Sequence, residues 1–120
     1  MAYVTSATTK GGRNGRAMLD NGALALAMAA PKEIGGAGDG HNPEQLFALG
    51  YSSCYGQAAR VTCEVTLDQK DGGFGLAVEL KVSIPGADKD KLQQLVEEAH
   101  TVCPYSKATK GNIPVKLTVV

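Results

Sequence analysis

The spacing of apolar and polar residues in the first third of the chain indicates short β-strands. Residues 3–8 favour an extended conformation, and the glycines and asparagine of residues 11–15 are typical of a turn. A second turn at residues 20–22 leads into residues 24–28, where every other residue is large and apolar. This third of the chain therefore predicts a β-meander.

A glycine-rich connection over residues 31–41 leads to a strong helix-start signal. Asn42 is placed as the N-cap, Pro43 at the first helical position, and Gln45 where its side chain can return a bond to the cap. The residues that follow are small or apolar on most of the helix circumference. We therefore expect a buried central helix that runs through Cys54 to about residue 58.

The remaining chain predicts a hairpin, a second helix and a last strand. Residues 61–67 alternate like a strand, and the turn at residues 71–73 leads into a second strand over residues 74–82. Five apolar residues then recur at helical spacing, up to the point where Pro104 ends the helix at Cys103; they are Leu92, Leu95, Val96, Ala99 and Val102. Residues 114–120 read as a strand. The predicted fold class is α+β, with an antiparallel sheet packed against a buried central helix and a second helix, in a single domain over residues 1–120.

Composition narrows the possible partners. The 120 residues contain 12 Lys plus Arg and 12 Asp plus Glu, which leaves no basic excess to attract nucleic acid or an anionic membrane. The N-terminus lacks the basic and apolar regions of a signal peptide, and no stretch is long enough to span a bilayer. We expect a cytoplasmic protein with no nucleic-acid or membrane partner, a small neutral or apolar substrate, and some stability supplied by a partner subunit.

The cysteines are the candidate reactive groups. Three is an odd number and no Cys-x-x-Cys pair is present, so a disulfide here is expected to form and break during function rather than to be structural. Cys54 lies in the small-residue run GYSSCYG, and helix pattern alone favours reading it as a small buried hydrophobe. A reactive Cys54 would need a nearby cation to stabilise its thiolate. Cys63 is interpreted as an apolar filler, with a backup resolving thiol as the lesser alternative, and the His100–Cys103 spacing does not predict a metal site.

Five sequence blocks carry a resemblance to a known family. They are GGRNGR at 11–16, NPEQLFA at 42–48, GYSSC at 50–54, GGFGL at 72–76 and VCPYSKATKGNI at 102–113. In this order, and over nearly the whole chain, they resemble the organic hydroperoxide resistance proteins of the OsmC-like superfamily. The resemblance implies an OsmC-like fold and an intertwined homodimer.

The resemblance also implies a reaction and a role for four residues. It implies a bacterial thiol peroxidase that reduces organic and fatty-acid hydroperoxides to alcohols and is recycled by a lipoyl-bearing protein, with no bound cofactor. By motif match, Cys54 is the peroxidatic cysteine, Cys103 is the resolving cysteine, and Arg13 and Glu44 form the charged pair that organises the thiolate. The chemistry fits these roles, since a sulfenic acid on one thiol can condense with a second thiol before it is over-oxidised.

Helix geometry adds a constraint to these roles. Glu44 and Cys54 are ten residues apart, which corresponds to a rise of about 15 Å on one straight helix. Direct contact between them within one subunit is therefore not expected. We hypothesise that Arg13 and Glu44 are presented to Cys54 by the other subunit of the dimer.

One departure from the family pattern keeps two other functions open. The chain passes almost directly from Cys54 to the strand at residue 61, which is a shortening of roughly 15 residues, or about four helical turns. A redox-sensing or ligand-binding protein with little turnover is the second hypothesis, and a purely structural dimer with inert cysteines is the third. The joint presence of Arg13, Glu44 and Cys103 favours the peroxidase.

Overall fold

The structure is a computed structural model that describes residues 2–55 and 60–120. The chain divides into two compact units, Met1–Leu46 and Phe47–Val120. The sequence-based expectation of one domain over residues 1–120 stays a prediction. No helix in the described ranges has the length and apolar character needed to cross a bilayer.

The first unit contains a three-stranded antiparallel meander. Strands β1 (Ala7–Lys10), β2 (Arg16–Leu19) and β3 (Ala25–Ala27) pair in sequence order, as predicted. The first strand begins at Ala7, later than the predicted residues 3–8. Between β1 and β2 the chain makes a 3-10 turn over Gly12–Asn14, entered through Gly11 at φ 90°, a conformation that glycine adopts without strain.

Helix α1 (Pro43–Tyr55) begins with the predicted capping box. The backbone N–H of Gln45 donates to Asn42 Oδ1 at 2.9 Å, and the backbone N–H of Asn42 donates to Gln45 Oε1 at 3.0 Å. Two N–H groups that would lack helical partners are thereby satisfied. The helix start is confirmed in detail.

The burial predicted for this helix is confirmed only for part of it. Tyr51 and Tyr55 are its buried side chains, whereas Leu49 is 64% exposed. Leu49 lies on the exposed side of the helix together with Gln45 and Ser53, so one large apolar side chain of α1 faces solvent. The predicted extension to about residue 58 lies outside the described residues.

The sheet of the second unit is mixed, which corrects the predicted antiparallel sheet. Strands β4 (Arg60–Lys70) and β5 (Gly73–Ser83) form the predicted hairpin, and Asp71 and Gly72 turn it at φ 50° and 79°. Strand β6 (Val115–Val119), however, pairs parallel to β5. The reason is connectivity, because a long helical crossover returns the chain to the same end of the sheet and so permits parallel pairing.

That crossover contains two helices where the sequence predicted one. Helix α2 (Lys89–Val102) is capped at its N-terminus by Asp88, whose side chain accepts a hydrogen bond from the Asp90 backbone N–H at 2.9 Å. Its C-terminal cap is Cys103, where the sequence predicted the end of the helix. Cys103 is extended, at φ −66° and ψ 124°, and Pro104 then opens a short helix α3 (Pro104–Thr109). A proline disfavours helix in the preceding residue but suits the first position of a new helix, so one residue both ends α2 and starts α3.

The core of this unit joins one face of the sheet to α1 and α2. Its buried members are Tyr51, Tyr55, Val78, Leu80, Val82, Leu92, Val96 and Cys103. On α2 the buried stripe is narrower than predicted, because Leu95 and Val102 are 53% and 71% exposed. These two are seven residues apart, so they lie on one side of the helix, next to the Leu92–Val96 stripe.

Replacing Leu80 with alanine should test this core. Leu80 is fully buried in the central strand β5, so the truncation should lower the free energy of unfolding by about 2–5 kcal/mol through lost burial and a residual cavity. Leu95→Ala is the matched control and should cost well under half as much, because Leu95 is already half exposed. Urea unfolding of both variants measures the difference, and equal losses would contradict this assignment of the core.

Candidate active site

Two cysteine sulfurs lie in contact at the edge of the core of the second unit. Cys54 Sγ, in the last turn of α1, lies 3.0 Å from Cys103 Sγ, at the junction of α2 and α3. Both are free thiols; Cys103 is buried and Cys54 is partly exposed. The separation is about 1 Å longer than a disulfide bond of ~2.05 Å, so the pair is placed to form one with a small movement.

The two thiols differ in acidity. Burial and the hydrogen bond with Cys103 raise the pKa of Cys54, against the opposing effect of the Tyr105 amide. Burial would also raise the pKa of Cys103, but hydrogen bonds from Cys54, from the amide and hydroxyl of Ser106 and from the Tyr105 amide lower it. Because the two sulfurs are in contact, the thiols titrate as a pair, and the two protons are lost in successive steps that belong to the pair.

A buried hydroxyl cluster adjoins Cys103. The Tyr51 hydroxyl on α1 lies 2.8 Å from Ser106 Oγ and 3.3 Å from Thr109 Oγ1, both on α3. Thr109 Oγ1 in turn donates to the Ser106 carbonyl at 3.1 Å. All three side chains are buried, so their hydrogen bonds are made to one another rather than to bulk water.

Aromatic rings surround the same junction. Tyr105 stacks on Phe47 at 6.0 Å between ring centroids, and its ring lies 5.6 Å from that of Tyr51. Gly50 permits this approach, because a Cβ at that position would lie 2.6 Å from the Tyr105 hydroxyl oxygen. The small-residue run before Cys54 therefore makes room for Tyr105, whose backbone N–H acts to lower the pKa of both thiols.

The predicted charged pair is formed in the first unit. Arg13 donates from both terminal nitrogens to the two carboxylate oxygens of Glu44, at 2.8 and 2.9 Å. Arg13 is held in the 3-10 turn after β1, where Gly15 is required because a Cβ there would come within 1.8 Å of the Lys10 carbonyl oxygen. Glu44 occupies the first turn of α1, where the helix dipole favours a negative charge.

This bidentate ion pair favours the charged form of both side chains. The hydrogen bonds from Arg13 lower the pKa of Glu44, and the carboxylate raises the pKa of Arg13. The structure thus brings the four predicted residues together as two pairs, Arg13 with Glu44 and Cys54 with Cys103. Glu44 and Cys54 occupy the first and last turns of α1, a rise of about 15 Å.

The remaining chemically interesting side chains lie elsewhere. Cys63 is in β4, half-buried against the core, and burial raises its pKa. The Nδ1 atom of His100 is buried without a hydrogen-bond partner in the part of the chain that the structure describes. Within those same residues no group of three or more His, Cys, Asp and Glu side chains is arranged to hold a metal ion.

Comparison with known proteins identifies the family. Residues 57–118 match the family described as OsmC-like protein. The organic hydroperoxide resistance protein of Xanthomonas axonopodis pv. citri is 48% identical over 133 residues, covering 98% of this chain and 94% of that protein. The chain belongs to the OsmC-like family, in its organic hydroperoxide resistance branch. The resemblance noted in the sequence is thereby confirmed.

Solved structures of this branch have the same fold. An organic hydroperoxide resistance protein from Elizabethkingia anophelis is 47% identical and superposes with a TM-score of 0.92, covering 99% of this chain and 96% of that one. One from Legionella pneumophila also gives a TM-score of 0.92, at 40% identity, with 99% and 98% covered. The α+β, OsmC-like fold class predicted from the sequence is therefore confirmed.

The alignment also bears on the shortened connection. Since 98% of this 120-residue chain is about 118 residues, an alignment of 133 residues includes positions of the Xanthomonas protein that this chain lacks. The chain is thus internally shorter than that relative. Residues 56–59, where the sequence analysis placed the shortening, lie outside the described residues.

Sequence reasoning missed the hydroxyl cluster. Ser106 and Thr109 lie in the block at residues 102–113 that carries the resemblance, but the sequence analysis assigns no role to either. Tyr51 is 55 residues from Ser106, so no local pattern connects them. The available signal was a serine two residues beyond Pro104, where the first turn of a new helix begins.

The Arg13–Glu44 pair should make stability depend on pH. Because the pKa of Glu44 is lowered on folding, its stabilising effect is present above its ordinary value of ~4.3 and is lost as the pH falls through the lower folded value. Arg13 is 42% exposed, so we expect Glu44→Gln to cost only about 0.5–1 kcal/mol at pH 7 and progressively less below pH ~4.

Urea unfolding of the wild type and Glu44→Gln between pH 3 and 7 measures this dependence. Glu33→Gln, at an exposed glutamate outside the ion pair, is the control for general charge effects. A cost for Glu44→Gln that stays constant, or that grows as the pH falls, would contradict the lowered pKa.

Proposed function

We propose that this protein is a thiol-dependent peroxidase that reduces organic hydroperoxides to alcohols. The observation that carries the proposal is the 3.0 Å approach of the Cys54 and Cys103 sulfurs, in a chain whose relatives are named organic hydroperoxide resistance proteins. A binding module or a structural dimer does not need two free thiols in contact. The broader role, resistance to organic hydroperoxides, follows from the same relatives.

In the first step, the Cys54 thiolate attacks one oxygen of the hydroperoxide. The O–O bond breaks, the other oxygen leaves as an alkoxide that takes a proton to become the alcohol, and Cys54 becomes a sulfenic acid. Cys54 suits this role because it is the partly exposed member of the pair, whereas Cys103 is buried. A hydroperoxide therefore reaches Cys54 first.

In the second step, the Cys103 thiolate attacks the sulfenic sulfur of Cys54. The S–S bond forms, the S–O bond breaks, and hydroxide leaves and is protonated to water. The lowered pKa of Cys103 suits this step, because the attacking species is the thiolate. An external dithiol then exchanges with the disulfide and becomes oxidised itself; we propose a lipoyl group on a partner protein, with no cofactor bound by this chain.

Cys54 needs help to act as the first nucleophile. Within the second unit, burial and Cys103 raise the pKa of Cys54, so its thiol must be ionised by an added positive charge. Arg13 remains charged and carries several donors, and Glu44 fixes its orientation. Because Glu44 and Cys54 are at opposite ends of α1, we propose that Arg13 and Glu44 of the partner subunit complete each site in a homodimer.

Exposed apolar side chains support the proposed dimer. Several large ones on the described strands and helices, or next to them, are about half exposed or more in the single chain; among them are Met18, Leu24, Leu49, Leu95 and Val102. Isolated exposed residues of this kind are ordinary, but Leu95 and Val102 lie together on one side of α2, a surface that a partner subunit would bury. A second copy would also cover the exposed side of α1.

The reaction can be followed by intact mass. One equivalent of an organic hydroperoxide added to the reduced protein should cause rapid loss of two hydrogens, mapped to a Cys54–Cys103 disulfide and reversed by dihydrolipoamide. Cys54→Ser should abolish the reaction, and Cys103→Ser should turn over once and then gain further oxygens. Cys63→Ser is the control and should behave as the wild type. Equal peroxide consumption by the wild type and Cys54→Ser would refute the proposal.

Subunit complementation tests the shared site. Arg13→Ala and Cys54→Ser should each be slow or inactive as homodimers, since each lacks one part of both sites. In a mixed dimer, Cys54 of the first variant meets Arg13 of the second, so one site of two is intact. An equimolar mixture, denatured and refolded together, should recover about a quarter of the wild-type rate. No recovery, with mixed dimers demonstrated by mass, would place Arg13 and Cys54 of one site in the same subunit.

A second function is favoured by two observations. The raised pKa of Cys54 and the internally shorter chain both suit a redox-sensing or ligand-binding protein in which Cys54 oxidises slowly. Slow oxidation by every hydroperoxide tested, with a Cys54–Cys103 disulfide that still forms, would support that function over the peroxidase.

A further inference from the structure

Tyr105 packs against one face of α1 in a contact that the proposed peroxidase steps do not use. Phe47, Gly50, Tyr51 and Cys54 recur at helical spacing, so they lie on the same face of α1. The Tyr105 ring is inclined by only 18° to that of Phe47, at 6.0 Å between centroids, and lies 5.6 Å from that of Tyr51. The first turn of α3 therefore lies against the face of α1 that carries Cys54.

Gly50 is required for this close approach. A Cβ at position 50 would lie 2.6 Å from the Tyr105 hydroxyl oxygen, 3.0 Å from its Cζ and 3.1 Å from its Cε2, all closer than ordinary van der Waals contact. Gly50 does not have a positive φ, so its backbone conformation does not call for glycine. Alanine is also the better helix former. The glycine therefore weakens the helix, and what it permits in return is the position of Tyr105.

The backbone of Cys103 follows the position of α3. Its carbonyl accepts the first helical hydrogen bond of α3, from the backbone N–H of Lys107 at 3.0 Å, and its own N–H donates to the Ala99 carbonyl of α2 at 3.0 Å. Tyr105 lies two residues further along, in the first turn of α3. A shift of Tyr105 that carries α3 with it therefore also moves Cys103.

A hydrogen bond joins the same two helices beside this contact. The Tyr51 hydroxyl lies 2.8 Å from Ser106 Oγ, and both side chains are buried. Tyr51 is three residues before Cys54 on α1, and Ser106 is three residues after Cys103. The two sulfurs, 3.0 Å apart, thus lie beside a packed contact and a hydrogen bond that hold α1 and α3 together.

We propose that Gly50 and Tyr105 are positioning residues that hold the Cys54 and Cys103 sulfurs at the separation from which the disulfide closes. The inference rests on the proposed function, in which this disulfide forms in each turnover. Neither residue exchanges electrons or protons. They keep two bond-forming atoms within reach of each other, and a reaction between two groups depends steeply on such proximity. Slower closing would leave the Cys54 sulfenic acid open to a second peroxide.

An equilibrium with a small dithiol measures this positioning without peroxidase activity. In a Cys63→Ser background, Cys54 and Cys103 are the only thiols of the chain. As their S–S bond forms, lipoamide takes up the two hydrogens and two electrons of the pair and becomes dihydrolipoamide. Alkylation of the remaining thiols, followed by intact mass, gives the ratio of dithiol to disulfide protein at each ratio of dihydrolipoamide to lipoamide.

Gly50→Ala should shift this equilibrium toward the dithiol protein by about threefold to thirtyfold, because the added methyl group pushes Tyr105 and α3 away from α1 and separates the sulfurs. Ser53→Ala is the matched control. It also replaces a poorer helix former in α1 with alanine, next to Cys54, but its side chain is on the exposed side of the helix. This control should leave the equilibrium unchanged.

Tyr105→Phe distinguishes this contact from any other effect of the alanine. It removes the hydroxyl oxygen, which is the atom nearest to the added methyl group. In the Gly50→Ala background it should therefore recover part of the shift, while the ring carbons at 3.0 and 3.1 Å keep the rest. On its own, Tyr105→Phe keeps the ring and should leave the equilibrium within about twofold of the parent protein. No recovery in the double variant would overturn the proposal, because Gly50→Ala would then act elsewhere.

Urea unfolding of both redox forms separates positioning from stability. A merely structural role for Gly50 would change the free energy of unfolding of the dithiol and disulfide proteins equally, and the lipoamide equilibrium would not move. Positioning requires that Gly50→Ala disfavours the disulfide protein more than the dithiol protein, by the factor that the equilibrium reports. Equal changes in the two forms would overturn the proposal.

The same measurements separate this inference from the proposed function. A Cys54–Cys103 disulfide that forms with lipoamide but not with an organic hydroperoxide would refute the proposed function, while Gly50→Ala would still decide the positioning. A parent protein that forms no such disulfide with lipoamide would overturn the inference itself.

Discussion

The site depends on how the last two turns of α1 are held against α2 and α3. Tyr51 and Tyr55 are four residues apart, so they lie on one face of α1. The Tyr51 hydroxyl reaches Ser106 and Thr109 on α3, and the Tyr55 hydroxyl donates to the Val96 carbonyl on α2. Cys54 lies three residues after the first tyrosine and next to the second, so the contacts that fix this face also place its sulfur against Cys103. The position of the thiol pair is therefore a consequence of two buried tyrosines.

The same arrangement explains why the pKa of Cys103 is lowered while that of Cys54 is raised. Pro104 ends α2 and opens α3, so Cys103 lies at the N-terminal end of α3, where Ser106 and Tyr105 are among the groups that lower the pKa of its thiol. Burial and Cys103 raise the pKa of Cys54, and of those groups only Tyr105 opposes them. Backbone geometry thus stabilises charge on Cys103, and charge on Cys54 has to be stabilised by a cation such as the proposed Arg13 of the partner subunit.

Sequence reasoning succeeded where the cause is local. The Asn42–Gln45 capping box, the Asp71–Gly72 hairpin turn and the end of α2 before Pro104 each depend on a few adjacent residues, and each is present as predicted. The parallel pairing of β6 depends on the path of the 31-residue crossover over residues 84–114, and the exposure of Leu95 depends on which stripe of α2 meets the sheet. Neither is encoded in a short pattern. Arg13 and Glu44 were found only through the family blocks, because 31 residues separate two side chains that meet in space.

The unequal acidity also has a chemical logic for the proposed reaction. A sulfenic acid is vulnerable to a second peroxide for as long as it waits for a thiolate, so the resolving thiol gains from being ionised before the first step occurs. Cys103 is buried, and a thiolate there is shielded from peroxide while its amide and hydroxyl donors offset the cost of burying the charge. The exposed thiol has the opposite requirement, since a permanently ionised Cys54 would be open to every oxidant. In the proposed site, Arg13 of the partner subunit would confine the reactivity of Cys54 to the assembled dimer, whereas Cys103 is ionised by hydrogen-bond donors of its own subunit and protected by burial.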